Sequence, residues 1–392
     1  MPIDVVRVRA ETRAADTVIH LNNAGASLPP AIVMDTVHEQ LRADEVFGPY
    51  EAQALAEPGL DRAYESVAEL VGGQADEVAF FGGATQAWQT ALYSLPWKKG
   101  DRILASQAEY GSNVYAFTYL QDRYGVQTDY VPDDERGQID VAALTAAITD
   151  DTRLIALTHI PTYGGLVNPA ARVGTAAKEA GILYLLDACQ SVGHLRLNVE
   201  ELGCDLLSGA GRKYLRGPRG TGFLWASARA LDQMRPAHAD QRSQLWTTAD
   251  SFTPADGARR LETFERSVAL QLGLGAAARY AIALGTGVIE ARVCALAAAL
   301  RGMLADVPGV TIQDRGERLC GIVTFSVDGF DAEEVRVAMR ENHINTWVVR
   351  RQMAMRDFAA RGIDEVTRAS VHYYNTEDEL ARAADVVRSL TT

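Results

Sequence analysis

Short apolar runs alternate with stretches of helical period between residues 76 and 225. Seven runs, 78–81, 102–105, 127–131, 153–158, 182–186, 205–208 and 222–225, are bounded by polar residues or glycine, which predicts strands. Between them, 85–95, 112–124, 141–148 and 171–180 repeat apolar residues at the helical period, and Asp140 stands as the N-cap of the third. That alternation predicts an α/β fold with a mainly parallel seven-stranded sheet covered on both faces. Residues 237–257 are polar and rich in Asp, Gln, Ser and Thr, and read as a loop or linker. Two alanine-rich helices follow at 267–284 and 288–306. Strands at 310–313, 321–327 and 344–348, a helix at 332–341 and a last strand and helix then make a smaller α+β unit. The expected division is a large domain, 16–255, and a small C-terminal domain, 256–392, which the N-terminal residues 1–15 join. No internal repeat interrupts this plan.

Composition narrows the class. The 392 residues allow two or three units of roughly 150 residues, and 47% hydrophobic residues supplies each with a core. A net charge of −13 at pH 7 repels phosphate backbones and argues against a nucleic-acid partner. Cys189, Cys204, Cys294 and Cys320 form no Cys-x-x-Cys pair and no metal spacing, so neither a disulfide framework nor a metal site is expected, and a reducing cytoplasm fits. No stretch approaches the ~18 apolar residues of a membrane span, and residues 1–16 lack the apolar run of a signal peptide. A soluble cytoplasmic protein is expected.

The chemistry gathers around Lys213, in the glycine-rich stretch Ser-Gly-Ala-Gly-Arg-Lys-Tyr-Leu-Arg-Gly-Pro-Arg-Gly-Thr-Gly at 208–222. It follows a strand end, where ligand crevices of open α/β sheets lie. A lysine forms a Schiff base only when partly unprotonated, and burial beside Arg212 favours that state. Alone, an Arg-Lys turn reads as surface charge; its context argues otherwise. Asp187 ends an apolar strand in Leu-Leu-Asp-Ala-Cys-Gln, about one βα unit earlier. A carboxylate there suits the ring nitrogen of pyridoxal phosphate, whose protonated pyridinium is an electron sink, although a helix N-cap is the plainer use of such an aspartate. The turn Phe-Gly-Gly-Ala-Thr-Gln-Ala at 81–87 offers free backbone N–H groups to a phosphate. It lacks the dinucleotide and P-loop patterns. Arg368, opening a strand near the C-terminus, has the fork geometry to hold an amino-acid carboxylate.

In this order and spacing the motifs resemble the class V aminotransferase family of fold-type I PLP-dependent transferases, which includes cysteine desulfurases, isopenicillin-N epimerase-like proteins and cysteine-conjugate and sulfoxide lyases. The likeness runs from His-Leu-Asn-Asn-Ala-Gly at 20–25 to about residue 390, and rests on Gly-Ala-Thr at 83–85, Asp-x-x-Gln at 187–190, Lys213, the 216–222 glycine motif and Arg-Ala-Ser at 368–370. The resemblance implies pyridoxal 5'-phosphate on Lys213, with Asp187 at the ring nitrogen and Gln190 at the ring hydroxyl or phosphate. Gly83, Ala84 and Thr85 would bind the phosphate, and Tyr110 would stack on the ring where desulfurases carry an imidazole. Asn23, Ala24 and Gly25 would line the substrate side, with Arg368 on the carboxylate. A homodimer with the site at its interface is implied as well.

Departures from the family set the reaction. Desulfurases carry a nucleophilic cysteine shortly before the final arginine, and residues 321–392 contain none. Thr162 stands where relatives often have asparagine near the ring oxygen. Ala210-Gly-Arg-Lys replaces Ser-x-His-Lys, so Arg212 is the candidate phosphate ligand in place of imidazole. The segment Arg-Leu-Glu-Thr-Phe-Glu-Arg-Ser at 260–267 departs from the family's pattern at the usual interface threonine, which leaves open the residue that reaches across the dimer. His159 is weighed equally as a cofactor neighbour and as a structural residue, His194 and His372 as structural, and Trp88, Tyr163 and Trp246 as a possible stacking wall. The expected activity is a PLP-dependent lyase that cleaves an S-substituted L-cysteine (thioether, S-glycosyl or sulfoxide) by β-elimination to thiol, pyruvate and ammonia. The alternative is decarboxylation-coupled oxidative deamination or transamination of an S-alkyl or S-glycosyl cysteine in lincosamide-like antibiotic biosynthesis. Epimerisation and a non-catalytic scaffold rank below both.

Overall fold

Apolar residues on alternate sides of the central strands bury both faces of one large sheet. The computed structural model describes residues 2–391. In chain order the strands are β1 (Val78–Phe81), β2 (Arg102–Ala105), β3 (Gln127–Tyr130), β4 (Thr152–Thr158), β5 (Leu183–Asp187), β6 (Leu206–Ala210) and β7 (Gly222–Ala226). They lie in the order β1-β7-β6-β5-β4-β2-β3, with β7 alone antiparallel to its neighbours. On β5, Leu183 and Leu185 enter one apolar cluster while Tyr184 and Leu186 enter the other. Ile155 and Leu157 of β4 likewise oppose Leu154 and Ala156. The expected strands are therefore found, each end within two residues of its predicted place.

Strand order sets where a ligand can sit. From β2 the chain moves to β3 on one side and then returns to place β4 on the other, so the loops after β2 and β4 part above the sheet. Such a switch point leaves a crevice at the carboxyl ends of the strands. Asp140 caps the helix Val141–Ala147 by accepting from Ala142 N and Ala143 N, as its position predicts.

A second sheet of four antiparallel strands, β8 (Val310–Ile312), β9 (Ile322–Val327), β10 (Trp347–Arg350) and β11 (Glu365–Ser370), has the order β8-β9-β11-β10. The helices Thr286–Ala305 and Ala332–Glu341 pack beside it, and Glu377–Thr391 packs against both helices. One apolar cluster runs from Leu186 and Phe223 of the first sheet to Val323 and Phe325 of the second, so their separation is rigidly filled. No single helix among the described residues is long and apolar enough to cross a membrane.

Three expectations differ from the structure. Residues 237–257 contain an antiparallel hairpin, Gln244–Thr248 with Ser251–Pro254, instead of being loop throughout. Most of it is exposed, so no buried face imprints a period on its sequence. The segment 344–348 splits: Ile344–Asn345 pairs in parallel with Ile19–His20, and Trp347 begins β10. Two long helices, Ala31–Phe47 and Pro49–Val71, have no counterpart among the expected elements. Ile32, Leu41, Val46, Phe47, Tyr50 and Leu55 stay exposed on them and blur the apolar stripe by which a helix is read.

Gly209 on β6 shows how tightly the sheet is closed, since a Cβ there overlaps the Phe223 ring on β7. Gly209→Ala is expected to cost about 1–3 kcal/mol by overpacking, and Phe223→Leu in the same chain should recover part of it. Chemical denaturation of the single and double variants checks both; additive losses would show that the two residues do not compete for one space.

Candidate active site

The strand ends and the loops beyond them enclose a pocket lined by Gly83, Ala84, Thr85, Trp88, Tyr110, Asn113, Thr158, Thr162, Asp187, Cys189, Gln190, Ala210, Arg212 and Lys213. Its empty volume is about 620 Å³, the open space at its mouth included. Sequence reasoning thus converges on one place for Lys213 and the eight residues named with it. Asn23, Ala24, Gly25 and Arg368 are not in this wall; Ala24 and Arg368 reach it through hydrogen bonds to Gln190 and Thr162.

The chain has four lysines. Lys98, Lys99 and Lys178 are exposed, whereas Lys213 is buried in the pocket. Its amine makes no hydrogen bond or ion pair among the described residues, and Nζ lies 5.8 Å from the Tyr110 ring centroid. Burial lowers its pKa from the ordinary lysine value, Arg212 and Arg368 add to that, and Cys189 and Asp187 oppose it. The loop that carries it is closed on itself by Gly217 N to Gly211 O (2.7 Å) and Arg216 N to Lys213 O (2.9 Å). Arg216 adopts φ 61°, a left-handed conformation that a non-glycine residue rarely takes. Its buried guanidinium holds the turn there by donating to Leu28 O (2.7 Å), Tyr373 Oη (2.7 Å) and Thr12 Oγ1 (2.5 Å). Sequence reasoning missed this anchor because its partners lie at both ends of the chain.

Asp187 ends β5 with both oxygens engaged: Oδ1 accepts from Cys189 N (2.9 Å) and Oδ2 from Asn113 Nδ2 (3.1 Å). Gln190 Nε2 donates to Thr162 Oγ1 (2.9 Å) and Ala24 O (2.9 Å), leaving its Oε1 buried without a partner. Thr162 Oγ1 also accepts from Arg368 Nη1 (2.9 Å), so its own hydroxyl proton is free to be donated into the pocket.

Arg368 is buried on β11. It donates to Thr162 O (2.7 Å) and Asn22 Oδ1 (3.0 Å), has no carboxylate partner, and leaves Nε unpaired. Burial pulls its pKa down to about 10. Asn22, which sequence reasoning passed over, is therefore its side-chain acceptor. Asn23 is consumed internally, donating to His20 O and Ser370 O and accepting from Tyr374 Oη. A Cβ on Gly25 would stand 2.8 Å from Asn22 Oδ1, which accounts for glycine there.

At the far end, Gly83 precedes the helix Ala84–Tyr93, whose first N–H groups have no side-chain cap. The Arg212 guanidinium beside them makes no hydrogen bond or ion pair among the described residues. Gly222 of β7 backs this turn so closely that a Cβ would lie 2.5 Å from Ala84 N. Of the histidines, His159 hydrogen-bonds Ser191 (2.8 Å) outside the pocket wall, and burial takes its pKa to about 3. His194 stacks on Tyr214 at 3.9 Å, and His372 meets Tyr214 O at 2.9 Å. Among the aromatic candidates only Trp88 lines the pocket; Tyr163 packs on Phe358 and Trp246 is 81% exposed.

A free amine, a strand-end carboxylate and an uncapped helix start with a spare arginine match an aldehyde, a pyridine nitrogen and a phosphate, and unpaired Gln190 Oε1 marks a polar ligand between them. With the sheet order, this defines a fold-type I enzyme whose cofactor is pyridoxal phosphate. The model of the class-V aminotransferases matches residues 19–382, and the chain belongs to that family. It is 30% identical over 422 aligned positions to probable cysteine desulfurase 2 of Mycobacterium leprae, covering 99% of this chain and 97% of that one. With a probable cysteine desulfurase of Methanothermobacter thermautotrophicus it shares 26% over 371 positions, 93% of this chain and 91% of the other. Among solved structures, the apo cysteine desulfurase of Thermococcus onnurineus superposes with a TM-score of 0.92 at 24% identity, covering 100% and 98%. The cystine C–S lyase C-DES, in complex with its product cysteine persulfide, gives 0.86 at 22% identity, covering 95% and 99%.

A buried cation without a counter-ion costs stability. Lys213→Met is expected to stabilise the cofactor-free protein at neutral pH by about 1–4 kcal/mol. The folded pKa of Lys213 is lowered, so the unfolded chain binds more protons between that value and 10.5 and wild-type stability rises through this window. The gap between wild type and variant should therefore narrow as pH rises. Denaturant titrations at several pH values check this; a gap that widens with pH contradicts it.

Proposed function

We propose that the protein cleaves the C–S bond of an S-substituted L-cysteine by β-elimination. The observation that carries this reading is the state of the thiols. Transfer of sulfur to the enzyme requires a thiolate that can reach the substrate sulfur. Cys204 and Cys320 are buried, and burial raises both thiols, Cys320 to about 12. Cys294 sits half-buried on the helix Thr286–Ala305, and residues 321–392 have no cysteine. Cys189 alone lines the pocket, where burial and the adjacent Asp187 charge push its thiol well above the ordinary range. With no thiolate to take the sulfur, it leaves with its substituent.

Each residue then has a role. The Gly83–Thr85 amides and Arg212 would hold the phosphate, Tyr110 would cover the ring, Asp187 would serve the ring nitrogen, and Thr162 and Gln190 the ring oxygen. Bound covalently through Lys213, the cofactor supplies an electron sink for the bonds at Cα. Arg368, with its neighbours Asn22, Ala24 and Gly25, receives the substrate carboxylate, which neutralises a buried charge. The Lys213 amine, freed when the substrate's amino group takes its place and with its proton affinity lowered by burial, would take the proton from Cα as general base. The reaction balances as R–S–CH2–CH(NH3+)–COO− plus water giving R–SH, pyruvate and ammonium; a sulfoxide substrate releases the sulfenic acid in place of the thiol.

A homodimer belongs to the same reading. Trp246 and Phe252 of the hairpin, Phe264 after it, and Phe47 and Tyr50 on the long helices are exposed apolar surface of the kind a second copy covers. The large and small domains divide near residue 255, and the site lies where they meet.

Purified protein with pyridoxal phosphate should show a visible absorbance band that Lys213→Ala abolishes. Incubation with S-alkylcysteines should yield thiol and pyruvate in equal amounts. Aldehyde and carbon dioxide without thiol would replace this reading by oxidative decarboxylation, and proton exchange without net change by epimerisation. Arg368→Met should raise KM for the substrate by at least tenfold, since it removes a charge-assisted pair.

A further inference from the structure

Glu109, in the segment after β2, is 5% exposed, yet no role in the reaction falls to it. Its carboxylate accepts four hydrogen bonds. Oε1 takes Ser106 Oγ (2.7 Å) and Thr158 N (2.9 Å), and Oε2 takes Thr158 Oγ1 (2.8 Å) and Asn113 Nδ2 (3.1 Å). The same Asn113 nitrogen donates to Asp187 Oδ2 (3.1 Å). An amide nitrogen has two N–H groups, so one nitrogen ties the two carboxylates together and its strong donors are then spent. Asp187 is fixed at its other oxygen by Cys189 N, and cannot turn without breaking one of the two bonds.

We propose that Glu109 is a positioning residue, which through Asn113 aims the Asp187 carboxylate into the pocket and sets a second negative charge behind it. The proposal rests on the pyridoxal-phosphate reading above. A second carboxylate raises the proton affinity of any basic ligand atom that meets Asp187. At Lys213 the Asp187 charge is opposed by Arg212, from the same loop, and by Arg368 from β11; on the Glu109 side, Asp133 and Asp357 act with Glu109 on Tyr163, and Arg356 acts against it on Tyr130. Burial keeps the neighbouring Tyr130, Tyr163, Tyr184 and Cys189 protonated. Burial raises the Glu109 carboxyl pKa, and the hydrogen bonds from Ser106, Thr158 and Asn113 oppose that rise.

Glu109→Gln keeps the shape but turns an amide NH2 toward donors and removes the charge. In the holoenzyme, the pH midpoint of the visible band should fall by about one unit, and the dissociation constant for pyridoxal phosphate should rise about tenfold, the effect of one hydrogen bond to a charged group. Asn113→Ala should weaken cofactor binding to a similar extent, and the double variant no further than the worse single. A Glu109→Gln holoenzyme with wild-type midpoint and wild-type affinity overturns the proposal, whatever its melting temperature. Should that variant not fold, Asn113→Ala with wild-type affinity overturns it instead. A colourless wild-type protein sinks this inference together with the cofactor reading, whereas a coloured wild type beside an unaltered Glu109→Gln sinks this inference alone.

Discussion

Two cations, Lys213 and Arg368, lie buried with no ion-pair partner among the described residues, and the surrounding structure is arranged to keep them so. An uncompensated charge in a protein interior is expensive. The molecule reduces that cost in different ways. Arg368 is solvated by neutral oxygens of Thr162 and Asn22, while Lys213 has its proton affinity lowered. Asp187, whose charge acts on Lys213, is withheld from it: one oxygen is spent on Cys189 N and the other on Asn113. An ion pair between Lys213 and Asp187 would be the more stable arrangement for the empty protein. Its absence leaves an amine able to react, a carboxylate able to meet a ring nitrogen and a guanidinium able to meet a carboxylate.

Such an arrangement requires rigid support from distant parts of the chain. Asp187 and Thr158 come from neighbouring parallel strands, so their spacing is set by the hydrogen-bond ladder. Arg368 comes from the second sheet, and one continuous apolar cluster fixes its distance from the first. The Lys213 loop cannot relax toward Asp187 because Arg216 pins its far side to Thr12, Leu28 and Tyr373, in a backbone conformation that would not persist unheld. Strain and buried charge are thus opposed by packing spread over both ends of the chain.

The strands and the pocket residues borne on them were legible because each is announced locally. An apolar run ending in a polar residue marks a β end, and Asp187 and Lys213 each stand at or just after one. What could not be read is whatever depends on contacts between remote segments. Arg216 looks like one of several arginines in a glycine-rich stretch until Thr12 and Tyr373 fold onto it. Asn22 and Asn23 are adjacent and chemically alike; only the tertiary path decides that the first accepts from Arg368 and the second is consumed by Ser370 and Tyr374. The hairpin at 244–254 escaped for the converse reason, since its apolar residues face outward; on the two long helices the exposed Ile32, Leu41, Val46, Phe47, Tyr50 and Leu55 obscure the stripe of buried Val33, Val37, Leu60, Tyr64 and Val67.

Asp187 also bears on which reaction the pocket favours. Cys189 is the one thiol in the pocket wall, two residues from the carboxylate, and its backbone N–H is bound to that carboxylate. A negative charge so placed raises the proton affinity of whatever sits beside it. For a ring nitrogen this is an advantage, since the protonated ring withdraws electrons from the reacting carbon. For the thiol the same charge, added to burial, suppresses the thiolate that sulfur transfer would need. The interaction that would strengthen the cofactor as an electron sink therefore disarms the nearest nucleophile. The proposed elimination would use this combination, a driving force at Cα with no thiolate in the pocket to accept the sulfur.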